Sequence, residues 1–472
     1  MLDYRLEDAV RVMGGAVEGE AHAVVARVST DSRAVAPGDL FFALQGERFD
    51  GHQFVGDALA RGAVAAVVRA DWRVDPLLPI TSGLVRVADP LLALGALAAH
   101  HRTRFPALRV VGLTGSLGKT TTKDLCAAAL GARYRVHCNP GSLNAEIGLP
   151  QTLLELAPEH EAAVLEMAMR GRDQIRYLAR IGRPQVGLIT NIGLSHLELL
   201  GSQQAIAAAK AELLEELPVD GVAVLNADDP FFPFLAAKSP RVVSFGFGEA
   251  ADVRGRMLPP DAVGTPGEGA RFAWRAPAYA SGEFKATLPL PGRHNVQNAL
   301  AAITVALELG VPPHALGPAL AAARVSAMRM EVRRGPQGRT ILNDAYNASS
   351  PQAMVAALEV LMDPGFHGRR VAVLGNMLEL GPAAVAAHRE VGEAVARAGP
   401  DLLVTVGDLA QEIAAAARAG GRPAEAVTCC VDNESALAVL RERLAPGDVV
   451  LVKGSRGMRM EAVVRELIHG AG

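Results

Sequence analysis

A short segment rich in glycine, lysine and threonine is the part of this sequence best suited to chemistry. The apolar run VVGLT leads into Gly115-Ser116-Leu117-Gly118-Lys119-Thr120-Thr121, and a helical pattern follows. Glycines let backbone N–H groups curl round phosphate oxygens, and the start of a helix adds a partial positive charge. Lys119 can neutralise the β- and γ-phosphates of a nucleotide, and the Thr120 hydroxyl can bind Mg²⁺. The segment predicts a nucleotide site; a strand-to-helix turn with a solvated lysine is the alternative.

Two further side chains that can hold a metal ion follow predicted strands. Glu166 ends the apolar run AAVLEM, and His196 comes after the run QVGLIT. Carboxylate oxygens and imidazole nitrogens at strand ends can hold Mg²⁺ beside nucleotide phosphates. A surface acid and a loop histidine are the alternatives. The nucleotide segment favours the metal interpretation for both.

Lys210 is a candidate of a different kind, because it lies on the apolar face of a predicted helix. In SQQAIAAAKAELLEELP, its neighbours at helical spacing are Ile206, Ala207, Leu213 and Leu214. Burial favours the neutral amine, and a neutral amine can add CO₂ to give a carbamate. A lysine whose stem packs while its ammonium reaches water is the alternative.

The elements that must position these side chains predict an α/β fold. Near-continuous apolar runs at 108–114, 162–167, 185–190 and 221–226 are typical of parallel strands buried on both faces. Residues 240–293 are rich in glycine and proline and predict a small antiparallel excursion.

A helix is predicted over 295–310, with Asn295 as a possible N-cap. From about residue 325 the alternation of apolar strands and helices is repeated, with four predicted strands. Met354, Leu358 and Leu361 predict one buried face of a helix packed on that sheet.

The 472 residues correspond to roughly three domains. We predict a small α/β N-terminal domain over 1–84. A central nucleotide-binding domain over 85–324 has a P-loop-type, mostly parallel sheet flanked by helices. A Rossmann-like C-terminal domain covers 325–472. Pro76, Pro79 and Gly83 mark the first linker.

Charge and composition exclude several classes of protein. With a net charge of −3, the chain has no basic surplus for nucleic acid or an anionic membrane. The four cysteines lack the spacing of a zinc ribbon, and the N-terminus has no signal-peptide core. The most apolar run is far shorter than the ~20 residues that span a bilayer. We therefore expect a cytoplasmic protein with no nucleic-acid partner and no membrane insertion.

Several motifs together resemble those of the Mur ligase superfamily, ATP-dependent ligases that build the peptide stem of bacterial cell-wall precursors. Position 113 is leucine where the common P-loop has glycine, and the shorter TGxxGKT form is the one this superfamily uses. In chain order, the other motifs are VSTDSRAVAPGDLFFALQGERFDGHQF, NPGSLNAEIGLPQTL, EMAM, TNIGLSHLELLGS, AKAEL, GRHNVQNALAAI, NDAYNAS and VLVKGSRGMRME.

The resemblance implies that the N-terminal domain binds a UDP-sugar, that the central domain binds ATP and that the C-terminal domain is a ligase domain. It also implies a monomeric enzyme with ATP and Mg²⁺ as cofactors, and it implies roles for individual residues. Lys119, Glu166, His196, Lys210 and Arg329 would be catalytic. Thr120, Glu166, His196 and a carbamate on Lys210 would bind the metal. The remaining assignments cover the nucleotide base and ribose (Asn295, Asn298 and Asp344), the UDP-sugar (Asp31, Ser32, Arg33 and Asn144) and the incoming dipeptide (Lys453, Ser455 and Arg456). Helix capping, turn or solvent-exposed roles are the alternatives for Asn295, Asp344, Arg329 and Arg33.

Within the superfamily, AEIGLP, TNIGLSHLE, VLGNMLELG and KGSRGMRME most resemble the branch that adds D-alanyl-D-alanine to UDP-N-acetylmuramoyl-tripeptide. The branch that adds the third stem residue to the dipeptide precursor carries a DNPR-like motif, which is absent here; that branch is the alternative function. A catalytically silent nucleotide-sugar-binding module is the third hypothesis. Three departures from the family pattern affect local contacts: Ala145 before Glu146, Asn376 in place of aspartate, and one extra residue near Ser349-Ser350.

Overall fold

The computed structural model describes the chain except for residues 1, 3, 20, 47–48, 75–82, 196, 260–268 and 471–472. His196, a predicted metal ligand, therefore lies outside the described residues. The chain forms two compact units: the first holds 1–112, 134–169 and 173–185, and the second holds 113–133, 170–172 and 186–472. The domain boundaries drawn from the sequence at 84 and 324 stay predictions.

The N-terminal part of the first unit is a five-stranded sheet with helices beside it. Its elements are β1 (Tyr4–Arg5), α1 (Leu6–Met13), β2 (Ala16–Glu18), β3 (Val24–Val25), β4 (Arg27–Ser29), β5 (Asp39–Phe42), α2 (Val55–Ala60), β6 (Ala65–Arg69), β7 (Gly83–Val87) and α3 (Pro90–Thr103). The strand order is β2-β7-β6-β5-β4, in which β2 alone is antiparallel to its neighbour. A 3₁₀ turn over Gly51–Phe54 leads directly into α2, and β6 follows this helix after a short turn.

The middle of the chain alternates strands and helices as predicted. The elements are β8 (Arg109–Thr114), α4 (Lys119–Gly131), β9 (Val136–Cys138), α5 (Gly148–Leu154), β10 (Ala162–Glu166), α6 (Gln174–Gly182), β11 (Val186–Ile189), α7 (Leu197–Leu200), α8 (Gln203–Glu215) and β12 (Val222–Asn226). All four predicted apolar runs are strands, and β10, β11 and β12 are buried along their whole length. Parallel pairing joins β9 to β10 in the first unit and β11 to β12 in the second.

The antiparallel pairing predicted over 240–293 is found only among the last three strands of this range. The next elements are α9 (Phe232–Ala236), β13 (Val242–Gly246), β14 (Val253–Met257), β15 (Ala270–Ala276), β16 (Ala280–Leu288), α10 (Arg293–Glu308) and α11 (Pro313–Ala321). Strands β13 and β14 continue the parallel order from β12, whereas β15 and β16 are antiparallel. The N-cap prediction for Asn295 is wrong: α10 begins at Arg293, and Gly292 is its N-cap.

The C-terminal part of the second unit is a six-stranded sheet with helices on both faces. Its elements are β17 (Glu331–Arg334), β18 (Thr340–Asp344), α12 (Pro351–Leu361), β19 (Arg370–Gly375), α13 (Ala384–Ala398), β20 (Leu402–Val406), α14 (Ala410–Ala419), β21 (Val427–Cys430), α15 (Asn433–Arg443), β22 (Val449–Lys453) and α16 (Glu461–His469). The order is β17-β18-β22-β19-β20-β21, parallel except for β17.

This C-terminal sheet agrees with the Rossmann-like prediction, and the α/β fold class is confirmed. The predicted face of Met354, Leu358 and Leu361 is buried. Strands β17 and β21 were missing from the four predicted strands, because EVRR is polar and half-exposed and VTCC is too short to show a period. Among the described residues, no helix is long and apolar enough to cross a membrane.

Candidate active site

The predicted phosphate-binding segment forms the turn between β8 and α4 in the second unit. Gly118 caps the helix with φ of 76°, and α4 begins at Lys119. Gly115 has φ of 154°, and a Cβ placed there would lie 1.9 Å from the Thr190 hydroxyl oxygen. Both glycines are therefore required by geometry, since a side chain would strain the backbone or displace its neighbours. The turn directs the start of a 13-residue helix at the space where phosphate oxygens would lie.

Residues that follow β11 hold this turn rigidly. The Leu117 N–H donates to Asn191 Oδ1 at 2.9 Å, and the Leu117 carbonyl accepts from Asn191 Nδ2 at 3.0 Å and Thr190 Oγ1 at 2.7 Å. The Gly193 N–H donates to Ser116 Oγ at 2.8 Å. From the sequence, TNIGLSHLE stood out only as a family motif, and these supporting roles were missed. The sequence did contain a signal for these roles. Thr190 and Asn191 come directly after the buried strand β11, and polar residues in that position can contact the loop that follows a neighbouring strand.

A second layer of polar side chains fixes the loop that begins at Ile192. Asp229 accepts from the Ile192 N–H at 2.7 Å and from the Phe231 N–H at 2.8 Å. Burial raises the pKa of the Asp229 carboxyl, while these two backbone donors oppose the rise. Asn226 donates to the Thr190 carbonyl at 3.2 Å. Neither side chain was singled out from the sequence.

Two lysines meet at one carbonyl oxygen in this site. Lys119 Nζ and Lys210 Nζ each donate to the Gly115 carbonyl at 2.9 Å. Lys210 is only 2% exposed, so the snorkelling alternative is wrong for this side chain. Burial, followed by the nearby Lys119 ammonium, lowers the pKa of Lys210 well below its ordinary value. The site thus contains one charged lysine at the phosphate turn and one amine held towards its neutral form.

Asn295 and Asn298 are both buried on the first turns of α10. Asn298 lies directly against the phosphate turn, since a Cβ on Gly118 would come within 2.5 Å of Asn298 Oδ1. Asn295 Nδ2 donates to the Pro291 carbonyl at 2.7 Å. Asn298 therefore lies beside the phosphate turn. Asn295 lies three residues earlier in α10, where its side chain bonds Pro291.

Glu166 and Asn144 lie together in the first unit. Asn144 Nδ2 donates to Glu166 Oε1 at 2.6 Å, and the Glu166 N–H donates to Asn139 Oδ1 at 2.7 Å. Glu166 is 1% exposed, and its Oε2 has no hydrogen-bond partner among the described residues. A buried carboxylate oxygen without a donor is costly unless a cation or a donor binds it. Asn144, which was predicted to contact the UDP-sugar, is therefore hydrogen-bonded to Glu166, the predicted metal ligand.

Ser32 and Arg33 begin a 3₁₀ turn (Ser32–Ala34) on the surface of the first unit, and Asp31 precedes it as the N-cap. Asp31 caps the turn by accepting from the Arg33 N–H, and the Arg33 guanidinium adds two bonds to the same carboxylate at 2.9 and 2.8 Å. These bonds from Arg33 lower the pKa of Asp31 to about 2. The Arg33 side chain is 86% exposed, so its outer face is accessible to a ligand.

The remaining predicted residues gather at the carboxyl ends of β18 and β22. Lys453 Nζ contacts Asp344 Oδ2 at 2.5 Å and donates to the Asn347 carbonyl at 3.1 Å. Ser455 Oγ donates to the Ala348 carbonyl at 2.6 Å. The guanidinium carbons of Arg329 and Arg456 lie 4.1 and 5.7 Å from the centre of the Tyr346 ring.

This cluster differs from the sequence expectation in one respect. Asp344, assigned to the nucleotide, and Lys453, assigned to the dipeptide, form an ion pair with each other. Over the described residues, no set of three His, Cys, Asp or Glu side chains is arranged to hold a metal ion.

Comparison with known proteins bears directly on this site. Three family models match in series: Mur ligase family, catalytic domain over 24–102, Mur ligase middle domain over 113–306, and Mur ligase, glutamate ligase domain over 328–456. The UDP-N-acetylmuramoyl-tripeptide–D-alanyl-D-alanine ligase of Bacillus subtilis (strain 168) is 38% identical over 447 residues, or 94% of each chain. The chain belongs to the Mur ligase family. The resemblance inferred from its motifs is therefore confirmed.

Solved structures of Mur ligases show which branch of the family this chain resembles more. A crystal structure of MurF from Acinetobacter baumannii has a TM-score of 0.87 and 32% identity, with 98% of each chain covered. The MurF ligase of Thermotoga maritima in complex with ADP has a TM-score of 0.79 and 29% identity, covering 93% of this chain and 96% of that one. By contrast, a UDP-N-acetylmuramoyl-L-alanyl-D-glutamate–2,6-diaminopimelate ligase shares the fold alone, at 20% identity and a TM-score of 0.54. The relatives agree with the dipeptide-adding branch and with a three-domain Mur ligase architecture.

Proposed function

We propose that this protein is an ATP-dependent amide ligase that joins D-alanyl-D-alanine to UDP-N-acetylmuramoyl-tripeptide. The observation that carries the proposal is the lysine pair at the phosphate turn, in a chain that matches MurF ligases over nearly its whole length. The product would be the UDP-linked pentapeptide precursor of peptidoglycan, together with ADP and phosphate. All three substrates are water-soluble, and we propose a monomeric, cytoplasmic enzyme.

The reaction requires activation of a carboxylate that is unreactive at neutral pH. A carboxylate oxygen of the tripeptide attacks the γ-phosphorus of ATP, and ADP leaves with the electrons of the broken P–O bond. The amine of D-alanyl-D-alanine then attacks the acyl phosphate, phosphate leaves, and the new amide nitrogen releases a proton. Such phosphoryl transfer depends mainly on positioning and charge neutralisation. The N-terminus of α4 and the Lys119 ammonium supply both.

One observation on Glu166 supports a magnesium ion. Glu166 Oε2 is buried and lacks a donor among the described residues, and oxygen ligands are those that Mg²⁺ prefers. Glu166 and the Thr120 hydroxyl would hold the ion, together with His196 and Lys210. Bound there, Mg²⁺ would neutralise charge on the transferring phosphate.

Lys210 would contribute as a carbamate. Its amine is buried beside a second lysine and held towards the neutral form, which is the form that adds CO₂. Carbamylation would replace an amine, which would repel Mg²⁺ if it were protonated, with an anion that binds the ion. The same change would place a negative charge beside the Lys119 ammonium.

The other predicted residues would contact the three substrates. Asp31, Ser32, Arg33 and Asn144 would contact the UDP-sugar, and Arg33 suits phosphate because its guanidinium is exposed and forked. Asn295, Asn298 and Asp344 would contact the nucleotide, and Arg329 its phosphates. Lys453, Ser455 and Arg456 would border the site of the incoming dipeptide.

A substrate panel tests this function. Purified protein is given ATP and Mg²⁺ with either UDP-N-acetylmuramoyl-tripeptide plus D-alanyl-D-alanine or the dipeptide precursor plus diaminopimelate or lysine. ADP release and product mass are measured. Pentapeptide product supports the proposal, whereas product from the second pair alone would establish the third-residue ligase. No phosphate release with any pair would favour the silent binding module.

A further inference from the structure

In the C-terminal sheet, neighbouring strands send their connections to opposite faces. Helices α12, α13 and α14 pack in succession over one core, which includes Leu358, Val391 and Ile413. Helices α15 and α16 pack together over a second core, which includes Leu440 and Val463. The chain therefore leaves β18 and β19 towards one face, and leaves β22, which lies between them, towards the other. Open α/β sheets bind ligands at the carboxyl ends of strands at such a point.

The loop of residues 376–381, which follows β19, lies at this point of the sheet. Glu379 is strained at φ of 65°, whereas Gly381 adopts φ of 51° without strain because it has no side chain. The Leu378 N–H donates to Ser455 Oγ at 2.8 Å, which ties the loop to the segment after β22. Asn376 Oδ1 accepts from the Ala410 N–H at 2.8 Å. The Ser455 hydroxyl thus holds a backbone group of the loop, and the Asn376 side chain joins the start of the loop to the start of α14.

The deepest of these attachments comes from His388 on α13. Its Nδ1 contacts the Ala384 carbonyl at 2.6 Å, and its Nε2 lies 2.9 Å from the Met377 nitrogen. A carbonyl can only accept and a backbone N–H can only donate, so the ring carries its proton on Nδ1 and Nε2 accepts. His388 is fully buried, so a ring protonated at both nitrogens would turn a second donor against the Met377 N–H.

We propose that His388 is a positioning residue for the amine substrate: as a neutral ring it fixes the loop of residues 376–381 as a wall of the D-alanyl-D-alanine site. The inference rests on the proposed function, because that function supplies the identity of the amine. His388 itself touches no substrate. It acts through Met377, Leu378 and the Ser455 hydroxyl, which border the carboxyl ends of β19 and β22.

The charges around His388 set how it responds to pH. The carboxylates that face it are Asp408, which follows β20, and Glu412 on α14; Glu412 is paired with Arg389 at 2.7 Å. Burial outweighs these carboxylates and lowers the pKa of His388 below its ordinary value. The ring is therefore neutral near pH 7, and acid conditions protonate it and release the loop.

Steady-state kinetics with each of the three substrates varied in turn test this role. Wild-type turnover with D-alanyl-D-alanine comes first, since its absence would defeat the proposed function and not this inference. His388→Leu keeps the volume but removes the acceptor, and we expect KM for the dipeptide to rise about tenfold, as the loss of a buried hydrogen bond implies. KM for ATP and for the UDP-tripeptide should change by less than about twofold.

His388→Gln keeps an acceptor near the position of Nε2 and cannot titrate. We expect its KM for the dipeptide to stay near the wild-type value, and the loss of dipeptide kcat/KM that acidification causes in the wild type to be absent from it. If His388→Leu does not fold, the comparison of His388→Gln with the wild type tests the positioning role by itself.

A matched control is His101→Leu, which removes another buried histidine, on α3, that bonds the Leu156 carbonyl. It should lower stability without any selective change in KM for the dipeptide. Equal changes in all three KM values for His388→Leu, or identical pH profiles for His388→Gln and the wild type, would overturn the assignment.

Discussion

Lys119 and Lys210 donate to the same backbone oxygen, the Gly115 carbonyl, at the same distance of 2.9 Å. Two ammonium groups this close repel each other, and the repulsion is strongest where water is excluded. Lys210 is the more deeply buried of the two, so its pKa falls. We therefore propose different roles for the two lysines: Lys119 would neutralise phosphate charge, and Lys210 would supply a neutral amine that CO₂ can modify.

Lys210→Ala should be nearly inactive, with kcat lowered by about 10²-fold or more, because charge neutralisation at the phosphate is lost. Short-chain carboxylates such as formate, acetate or propionate should restore part of the activity by occupying the vacated metal position. Turnover is measured as ADP release over a range of carboxylate concentrations.

The control for Lys210 is Lys238→Ala, which removes a surface lysine that pairs with Glu215. It should retain wild-type turnover and show no response to carboxylates. Full activity of Lys210→Ala in CO₂-depleted buffer would refute the carbamate.

Gly118→Ala should impair nucleotide use without unfolding the protein. Alanine at φ of 76° is strained, and its Cβ would lie 2.5 Å from Asn298 Oδ1, so the phosphate turn must shift. We expect kcat/KM for ATP to fall by about 10- to 100-fold, since small misplacements at phosphate are costly.

Gly131→Ala is the matched control, because Gly131 ends the same helix and a Cβ there meets no atom within 4 Å. It should leave kcat/KM for ATP unchanged. Equal loss in both variants would show that the effect comes from helix stability and not from the phosphate turn.

Lys119→Ala and Arg33→Ala should separate chemistry from substrate binding. The first removes the phosphate charge, so turnover should be abolished while uridine-nucleotide affinity is kept. The second removes an exposed guanidinium, so KM for the UDP-sugar should rise by more than kcat falls. Titration with a uridine nucleotide, together with kinetics, distinguishes the two. The same loss of uridine-nucleotide affinity in both variants would contradict the division.

The strands and the phosphate turn could be predicted because their signals are local. The apolar runs that became β8, β10, β11 and β12 are short and uninterrupted, and a lysine that follows glycine at the start of a helix is typical of a phosphate-binding turn. Lys210 was also predictable, since helical spacing alone placed it among apolar neighbours.

The supporting polar network could not be predicted in the same way. Asn191, Asp229 and His388 act by bonding backbone groups at least 11 residues away in sequence, and single-sequence periodicity carries no information on such pairs. The start of α10 was misplaced for a related reason: Asn295 has the side chain of an N-cap, but Gly292 supplies the backbone geometry.

A last prediction concerns the dependence of stability on pH at His294, near the Asp344–Lys453 pair. Burial lowers the pKa of His294 to about 4, against an ordinary value of 6.5. Because the folded pKa is the lower one, the stabilisation is complete above about pH 6.5 and is lost as pH falls towards 4. Linkage puts the loss from this residue between pH 7.5 and pH 5 at about 2 kcal/mol.

Thermal unfolding of the wild type and His294→Gln at pH 7.5 and pH 5 measures this loss. Glutamine cannot titrate, so the variant should show a smaller fall in Tm on acidification than the wild type. His22→Gln is the control, because the His22 side chain is 77% exposed and its substitution should leave the fall unchanged. If the wild type and His294→Gln lose the same number of degrees, His294 is not the residue that makes folding sensitive to acid.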